Sequence, residues 1–365
     1  MSDMVKVCLG DVAREFREIC KEDIAKYPHV GLEHLDSGCI ALSKWDSDKE
    51  TTFTKKFYKG QILFGRRRAY LKKAVVAPFD GICSGDITVF EAIPSRIYPD
   101  YLPFIIQNDS FFDYAVGKST GSLSRRAKWE FLKKYEFDLP SLEEQKRRAD
   151  LLWAAENQKQ KTLSAINHAL AFKKSFLHSI IEHDTEEVGI EYYCSLVLDR
   201  YKGSETNVTA VDLDCIEPLT GNLLATKNTI SSSSGYFEFQ KGDTLFGKLR
   251  PYLEKYHYAM SDGICCGEIW TIHPTQNARS KFVYLLISSN DFIKVNSSQT
   301  DGTKMPRTSW EIASEFKCPR YSLDEQDIII SKVNKIDETI TNLKKFNDSL
   351  SKLIPNIINE SLEGS

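Results

Sequence analysis

Several features that mark particular classes of protein are missing from the 365 residues of this chain. No apolar run is long enough to cross a bilayer, so we expect no membrane span and a cytoplasmic location. The nine cysteines include no C-x-x-C pair, which argues against a zinc site and against the disulfide framework of a secreted protein. We interpret Cys83 and Cys265 as small buried residues of two separate cores.

Catalytic signatures are missing as well. The sequence has no G-x-S-x-G elbow, no H-E-x-x-H motif and no glycine-rich dinucleotide loop, and its seven histidines show no metal-like spacing. Gly117 to Thr120 resembles the end of a phosphate-binding loop, but Phe112 stands where that motif needs a glycine. The sequence therefore predicts no catalytic residue, no metal ligand and no cofactor site on this chain.

Acidic residues are missing from one stretch, Thr54–Lys73, although the formal net charge of the whole chain is only -3. The basic residues of this stretch are Lys55, Lys56, Lys59, Arg66, Arg67, Arg68, Lys72 and Lys73. A run of like charge is usually a solvated face. Clustered Lys and Arg on one surface are also the electrostatic signature of a nucleic-acid binder.

An internal repeat decides between these interpretations. Lys59–Leu71 aligns without a gap with Lys241–Leu253, 182 residues later, and eight of the thirteen positions are identical. DGICSGDI at Asp80–Ile87 returns as DGICCGEI at Asp262–Ile269. TGSLSRRAKW then meets DGTKMPRTSW, and PSLEEQ meets YSLDEQ, both 181 residues apart. A solvated face needs no such repetition, so we interpret the basic run as a functional loop that is used twice.

The repeat divides the chain into four segments. We predict mixed α/β domains at 1–140 and 186–320, each followed by a long helix, at 141–185 and 321–365. Both helices open with an S-x-x-E capping box, in which serine and glutamate satisfy each other's backbone N–H groups. Within the domains, the sequence predicts strands at Gln61–Gly65, Lys73–Ala77, Ile87–Phe90, Thr244–Gly247, Tyr256–Met260 and Ile269–His273, and helices at Tyr101–Gln107 and Lys281–Ser289.

The second long helix carries an apolar stripe at alternating steps of three and four residues, which is typical of a coiled coil. Pro355 should kink or end it. The residues that we expect to pack the two helices together are Leu163, Ile166, Leu170, Leu177, Val333, Ile336, Ile340, Leu343, Leu350 and Ile354. Two antiparallel helices of about 40 residues would be roughly 60 Å long and would separate the domains about a pseudo-two-fold axis. The predicted fold class is therefore α+β, with two domains separated and joined by two antiparallel helices.

The order of these motifs resembles that of the specificity subunit of type I restriction–modification enzymes, over essentially the whole chain. The motifs that carry the resemblance are LFGRRRAYL with LFGKLRPYL, DGICSGDI with DGICCGEI, DGTKMPR, and SLEEQKRR with SLDEQ. The resemblance implies two target recognition domains, each reading one half of a bipartite, asymmetric sequence in double-stranded DNA. It also implies spacer helices that dock two methyltransferase subunits, restriction subunits that join them, and a role in phage defence. S-adenosylmethionine, ATP and magnesium would then belong to the partners, with no activity on this chain.

Two basic loops in each domain are the predicted DNA contacts. Arginine and lysine neutralise phosphates, and arginine also reads guanine in the major groove. The predicted residues are Arg66, Arg67, Arg68, Lys72, Lys73, Lys118, Ser124, Arg125 and Arg126 in the first domain, and Lys248, Arg250, Lys255, Lys304 and Arg307 in the second. Arg68/Arg250 and Arg126/Arg307 occur in both copies, which suggests that they position the DNA through its phosphates. Arg67 of the first copy corresponds to Leu249 of the second, and this difference suggests that the two residues contact different bases.

Other repeated residues suggest structural roles. We interpret Tyr70/Tyr252 and Trp129/Trp310 as residues of the domain cores. The two domains would recognise different DNA sequences, so a residue that is the same in both is unsuited to determine which sequence is recognised. Lys59-Gly60 and Lys241-Gly242 suggest a turn that needs glycine. The second domain is less basic, since Glu254 replaces Lys72.

Two alternatives to DNA specificity remain open. One is a stand-alone DNA nuclease that uses carboxylates such as Asp100 and Glu144. The other is a coiled-coil scaffold that assembles proteins without DNA.

Overall fold

The computed structural model describes residues 4–21, 23–47, 50–119, 126–182, 186–203, 208–227, 235–298 and 305–360. The chain forms two compact units, one of Met1–Leu163 with Lys344–Ser365 and one of Ser164–Leu343. Each unit holds one mixed α/β domain and parts of both long helices. The four predicted segment boundaries stay a prediction. None of the helices in the described ranges combines the length and the apolar character needed to cross a membrane.

The first unit contains three small sheets. One is a four-stranded antiparallel sheet in the order β2-β8-β5-β6, the second is a three-stranded sheet β3-β7-β4 with β3 and β7 parallel, and the third pairs β1 with β9. The strands are Val5–Cys8 (β1), Ala13–Phe16 (β2), His29–Val30 (β3), Lys55–Phe57 (β4), Ile62–Gly65 (β5), Ala74–Val76 (β6), Gly81–Cys83 (β7), Ile87–Ala92 (β8) and Glu136–Leu139 (β9).

Helices and single 3-10 turns connect these strands. The α-helices are Leu9–Val12 (α1), Leu102–Gln107 (α2), Asp109–Gly117 (α3), Trp129–Leu132 (α4) and the long helix Leu142–Ile181 (α5), and the 3-10 turns are Ile24–Lys26, Leu32–His34, Ala69–Leu71 and Pro99–Tyr101. Helix α3 begins after Asn108, whose side-chain oxygen accepts a hydrogen bond from the Ser110 N–H at 2.7 Å.

The second unit repeats this plan. Its strands are Glu187–Gly189 (β10), Cys194–Val197 (β11), Ala210–Val211 (β12), Tyr236–Phe239 (β13), Thr244–Gly247 (β14), Tyr256–Tyr258 (β15), Gly263–Cys266 (β16), Ile269–Pro274 (β17) and Lys317–Pro319 (β18). Its helices are Ser280–Ile287 (α6), Asn290–Ser297 (α7), Trp310–Ser314 (α8) and Leu323–Glu360 (α9), with 3-10 turns at Ile190–Tyr192, Leu213–Cys215 and Pro251–Leu253.

The sheets of the two units have the same strand order, which confirms the internal repeat. The order β11-β17-β14-β15 corresponds to β2-β8-β5-β6, and β12-β16-β13 corresponds to β3-β7-β4. The turn before β5 and β14 uses Gly60 and Gly242 at φ values of 86° and 96°. Because these values are disfavoured for residues with a side chain, the predicted need for glycine at this turn is confirmed.

The predicted strands and helices inside the domains all exist, with ends that shift by up to two residues. Other strands were not predicted, among them β1 and β9, which pair with each other, and β10 and β18, which form the matching pair.

The predicted cysteines are buried, and the predicted tryptophans pack against buried clusters. Cys83 and Cys265 are fully buried, and burial raises the pKa of each thiol to about 12. Trp129 and Trp310 pack against the cores of their domains, as predicted. The placement of Tyr70 and Tyr252 in the core was wrong, because these side chains are 62% and 51% exposed. Each lies on a single 3-10 turn, where no hydrophobic period indicates which way a side chain points.

The capping boxes at the starts of the long helices differ. In α9 the box is complete, since the Ser322 N–H donates to the Glu325 carboxylate at 2.8 Å and the Glu325 N–H donates to Ser322 Oγ at 3.4 Å. In α5 only the serine half forms, because the Glu144 carboxylate instead accepts from Arg147 and Arg148.

The long helices run in opposite directions within each unit. In the second unit, Leu177 and Ile180 of α5 share a core with Ile329 and Val333 of α9, and Lys173 donates to Asp337 at 2.6 Å. In the first unit, Leu152 of α5 shares a buried cluster with Ile354 and Ile358 at the other end of α9. Helix α9 continues through Pro355, so this proline does not end the helix, and the kink that was expected as the other outcome stays a prediction.

Most residues of the predicted stripe are shielded from solvent. The buried ones are Ile166, Leu177, Val333, Ile340, Leu350 and Ile354, and the half-buried ones are Ile336 and Leu343. Leu163 and Leu170 require a correction, because they are 37% and 40% exposed. The inward positions of α5 are Thr162 and Ala169, one residue earlier. Because their side chains are small or polar, the hydrophobic pattern did not predict that these positions face inward.

Candidate nucleic-acid interface

The structure brings Arg126 of the second predicted basic loop of the first domain against the first loop. Arg66–Lys73 follows strand β5, and Arg126 begins the segment that leads into α4. Arg67 and Arg126 form a backbone bridge, and the Ala127 N–H donates to the Arg66 carbonyl at 2.8 Å. We call Arg66–Lys73 with Arg126 the first loop pair. Residues 60 positions apart in the sequence thereby form one basic surface.

The second domain builds the same arrangement, the second loop pair, from Lys248–Lys255 and Arg307. Leu249 bridges to Arg307, and the Thr308 N–H donates to the Lys248 carbonyl at 3.1 Å. The Lys248 N–H in turn donates to the Glu268 carbonyl at 3.0 Å. The corresponding bond of the first domain, from Arg66 N–H to the Asp86 carbonyl, has the same length. The geometry therefore survives where the side chains differ.

An acidic residue pairs with the repeated arginine of each loop pair. Arg126 Nε lies 2.7 Å from Asp86 Oδ1, and Arg67 Nη1 lies 3.5 Å from Asp86 Oδ2. Burial alone would raise the pKa of Asp86, but the hydrogen bond from Arg126 and the nearby positive charges outweigh it and lower that pKa.

The second domain repeats this pairing with a longer acid. Arg307 binds Glu268 through Nη2 at 2.9 Å and Nε at 3.0 Å, and this hydrogen bonding lowers the glutamate pKa. Both arginines stay exposed, so each carboxylate orients a guanidinium group without hiding it from solvent. Sequence reasoning missed Asp86 and Glu268 as site residues, although they occur in the repeated DGIC motif.

The backbone of each loop pair is strained at equivalent positions. Arg68 and Lys72 flank the turn Ala69–Leu71 with φ values of 56° and 50°. Arg250 and Glu254 flank Pro251–Leu253, both at 52°. Left-handed backbone costs a residue with a side chain about 1–2 kcal/mol. Strain of this kind persists where the surrounding structure enforces it, and it is common at functional sites.

The predicted lysines have different surroundings. Lys73 and Lys255 each donate inward to a backbone carbonyl, that of Leu32 at 2.8 Å and that of Leu213 at 2.6 Å. Lys72 pairs with Asp109 at 2.5 Å. Its counterpart Glu254 carries the opposite charge, and Asn290 occupies the position of Asp109. The predicted roles of all these lysines in DNA binding stay predictions.

The remaining predicted DNA contacts lie partly within and partly outside the described residues. Lys118 is exposed at the end of α3, with its ammonium group 5.7 Å from the Tyr114 ring centre. Lys248 and Arg250 are half-buried on the second loop pair. Ser124, Arg125 and Lys304 lie outside the described residues. An open hollow of about 260 Å³ lies beside the first loop pair, lined by Leu32, Glu33, Arg67, Arg68, Leu71 and Lys73.

Nothing in the described ranges resembles a metal-dependent catalytic centre. No three His, Cys, Asp or Glu side chains of the described residues gather so that they could hold a metal ion. The Glu144 carboxylate of the nuclease alternative is engaged by Arg147 and Arg148, whose hydrogen bonds lower its pKa to about 2.

Known proteins resemble this chain in sequence and in fold. Residues 1–170 match a protein-family model described as the type I restriction modification DNA specificity domain. The first half of the chain thus resembles a DNA specificity domain. The curated specificity subunit of the type I restriction enzyme EcoDI from Escherichia coli is 28% identical over 159 residues. That match spans 42% of this chain and 34% of the relative, about a third of its length.

Solved structures share the fold over nearly the whole chain. The specificity subunit of a type I restriction–modification system from M. genitalium has a TM-score of 0.60 at 13% identity, covering 100% of this chain and 97% of that one. A chain from a type I system studied for complex assembly and conformational transition has a TM-score of 0.61 at 15% identity, covering 99% and 98%. The resemblance to specificity subunits and the predicted fold class are confirmed. Both the family model and the curated relative are named for specificity.

Proposed function

We propose that this chain is the DNA-sequence specificity subunit of a type I restriction–modification complex. The observation that carries the proposal is the loop pair, an exposed, carboxylate-oriented arginine beside a strained turn that begins with another arginine, which occurs once in each domain. The match of residues 1–170 to a DNA specificity domain supports the same conclusion.

Each domain reads one half of a bipartite, asymmetric site in double-stranded DNA. Arg68/Arg250 and Arg126/Arg307 bind phosphates, because residues common to both copies suit the part of DNA that is the same in both half-sites. Arg67 contacts a base edge in the first half-site, and Leu249 at the matching position makes a different contact in the second. Two domains with different side chains on one backbone frame explain how a single chain reads an asymmetric target.

The long helices dock two methyltransferase subunits, and restriction subunits join through them. Exposed apolar side chains on both helices support this role, including Leu151 at 50% and Phe172 at 60% on α5, and Phe346 at 46% and Leu353 at 47% on α9. Apolar groups exposed in the free chain are typical of surfaces that a partner covers. S-adenosylmethionine, ATP and magnesium act on the partner subunits, in the cytoplasm.

The experiment that tests this function is co-purification of the chain with a methyltransferase encoded beside its gene, followed by methylome sequencing of cells that express both. We expect N6-methyladenine on a split motif, changed on one side only when residues 1–140 are exchanged for those of another specificity subunit. Absence of any mark, although the methyltransferase co-purifies and binds S-adenosylmethionine, would contradict the proposal.

A matched pair of variants isolates the loop pair from general charge effects. Arg307→Ala removes an exposed arginine paired with Glu268, whereas Arg320→Ala removes an equally exposed arginine paired with Glu186 outside the loop pair. We expect only Arg307→Ala to reduce methylation. Unchanged methylation in Arg307→Ala would exclude a role of the loop pair, an equal loss in both variants would indicate a general charge effect, and metal-dependent cleavage by the purified chain would support the nuclease.

A further inference from the structure

The exposed tyrosines of the two loop pairs have no role in the function described so far. Tyr70 and Tyr252 occupy the same place in the repeat and are 62% and 51% exposed. The preceding residues, Ala69 and Pro251, are buried against the domains. Each turn therefore anchors one residue inward and presents the next, an aromatic ring, to solvent.

The turn that carries each ring is held in one conformation. Gly38 and Leu219, at φ values of 67° and 70°, occupy matching positions and donate to the carbonyls of Lys72 and Glu254 at 3.1 and 3.0 Å. Ser37 Oγ also donates to the Leu71 carbonyl at 2.6 Å. Because both ends of the turn keep left-handed backbone without glycine, the position of the ring is set before any partner binds.

The charge around the rings selects the kind of partner. Tyr70 lies between Arg66–Arg68 and Lys72–Lys73, in a stretch without acidic residues. Tyr252 follows Lys248 and Arg250, and Glu254 stands between it and Lys255. An exposed ring beside arginines fits a partner that combines apolar faces with regular negative charge, and the sugar–phosphate backbone of DNA has both. A tyrosine hydroxyl is also a common donor to DNA phosphates.

We propose that Tyr70 and Tyr252 are sequence-independent DNA anchors. Each ring packs on a deoxyribose and its hydroxyl donates to an adjacent phosphate oxygen, next to the half-site that its domain reads. Being common to both domains, the tyrosines position DNA and do not discriminate its sequence. The inference rests on the proposed function and adds to it the residues that place the duplex against the base-reading arginines.

The test uses the full chain in complex with its methyltransferase and measures duplex binding by fluorescence anisotropy. One duplex carries the split motif found by methylome sequencing, and the other has that motif scrambled. We expect Tyr70→Ala and Tyr252→Ala each to weaken binding to both duplexes by about tenfold, with their ratio unchanged. Tyr70→Phe, which loses only the hydroxyl, should fall between Tyr70→Ala and the wild type.

Matched controls are Ile19→Ala and Leu224→Ala, which remove side chains that are 66% and 65% exposed outside the loop pairs. They should bind both duplexes like the wild type. Wild-type affinity of Tyr70→Ala for both duplexes would overturn the inference, and so would a loss confined to the target, since the ring would then read a base. Reduced recovery of the methyltransferase with unchanged DNA binding would instead make the turn a protein-docking surface.

The same assay separates this inference from the proposed function. A wild-type complex that prefers the target duplex, with tyrosine variants that bind normally, overturns the inference alone. A wild-type complex that binds the two duplexes equally removes the proposed function, and the inference with it.

Discussion

Arg126 donates through Nε to Asp86 Oδ1 at 2.7 Å, across 40 residues of sequence, and Arg307 makes the equivalent pair with Glu268 across 39 residues. The acid in each pair belongs to the repeated glycine-rich motif, and the arginine belongs to the weakly repeated segment before the tryptophan. In each domain, one ion pair thus connects a segment that is strongly repeated in the sequence to a segment that is weakly repeated. Exposed ion pairs add little to stability, so we attribute their presence in both copies to the orientation of the guanidinium group.

Asp86→Asn tests this orientation. The variant removes a negative charge and loosens Arg126 and Arg67, so we expect equal or tighter binding to scrambled DNA and about tenfold weaker discrimination of the target, the effect of losing one base contact. Competition binding in the methyltransferase complex measures both quantities. Glu136→Gln, which breaks the exposed pair with Lys6, is the control and should change neither. Unchanged discrimination in Asp86→Asn would exclude an orienting role.

Arg67 and Arg68 should differ in the kind of binding that they support. Arg68→Ala removes a proposed phosphate contact, so it should weaken binding to all duplexes and reduce the salt slope by about one. Arg67→Leu introduces the residue found at position 249 and should cost roughly 1–3 kcal/mol on the target only. Salt titrations on target and scrambled duplexes distinguish the two effects. A uniform loss in Arg67→Leu would make that residue a phosphate contact as well.

Gln145 and Gln326, the buried glutamines near the starts of α5 and α9, should stabilise the attachment of each long helix to the domain before it. Gln145 accepts from the Tyr98 N–H at 2.8 Å and donates to the Pro140 carbonyl at 2.7 Å. Gln326 accepts from the Arg279 N–H at 2.8 Å and donates to the Tyr321 and Asn277 carbonyls.

Gln145→Ala leaves buried backbone groups unpaired, at a cost of about 1–3 kcal/mol each. Hydrogen exchange should show faster opening at the Tyr98 amide. Gln158→Ala, at an exposed position of the same helix, should leave that rate unchanged. Equal protection in both variants would mean that water replaces the glutamine.

Ile166 and Leu163 give opposite predictions for the packing of α5. Ile166 is 7% exposed, so Ile166→Ala should lower the free energy of unfolding by about 2–5 kcal/mol. Leu163 is 37% exposed, and Leu163→Ala should change it by less than about 1 kcal/mol. Urea denaturation followed by helix circular dichroism measures both. A larger effect at Leu163 would favour the register expected from hydrophobicity alone.

Glu144 should make part of the stability depend on pH. Hydrogen bonds from Arg147 and Arg148 lower its pKa from 4.5 to about 2. Because the folded pKa lies below the ordinary one, this contribution is complete above about pH 5 and is lost as the pH falls through 4.5 towards 2. Urea midpoints between pH 6 and 2 should therefore fall less steeply for Glu144→Gln than for the wild type. Parallel curves would show that the arginines do not stabilise the ionised carboxylate.

The sequence by itself determined the architecture, because repetition reveals organisation without any knowledge of contacts. Motifs that recur 181 or 182 residues apart predicted two equivalent domains, and the structure shows the same strand order in both. The stripe on α9 was equally readable, since a helix of 38 residues samples its period many times. The basic run of Thr54–Lys73 likewise identified the loops that form the candidate site.

Tertiary structure alone decided which residues meet and which way the short turns face. The pairs of Arg126 with Asp86 and of Arg307 with Glu268 join distant segments that no local pattern connects. Tyr70 and Tyr252 point outward because left-handed residues at both ends of a single 3-10 turn set its direction. The seam of α5 passes through Thr162 and Ala169, since burial there depends on the space that neighbouring elements leave. Local periodicity determines where a helix forms. Packing between distant segments determines which face of that helix is buried and in which direction a three-residue turn points.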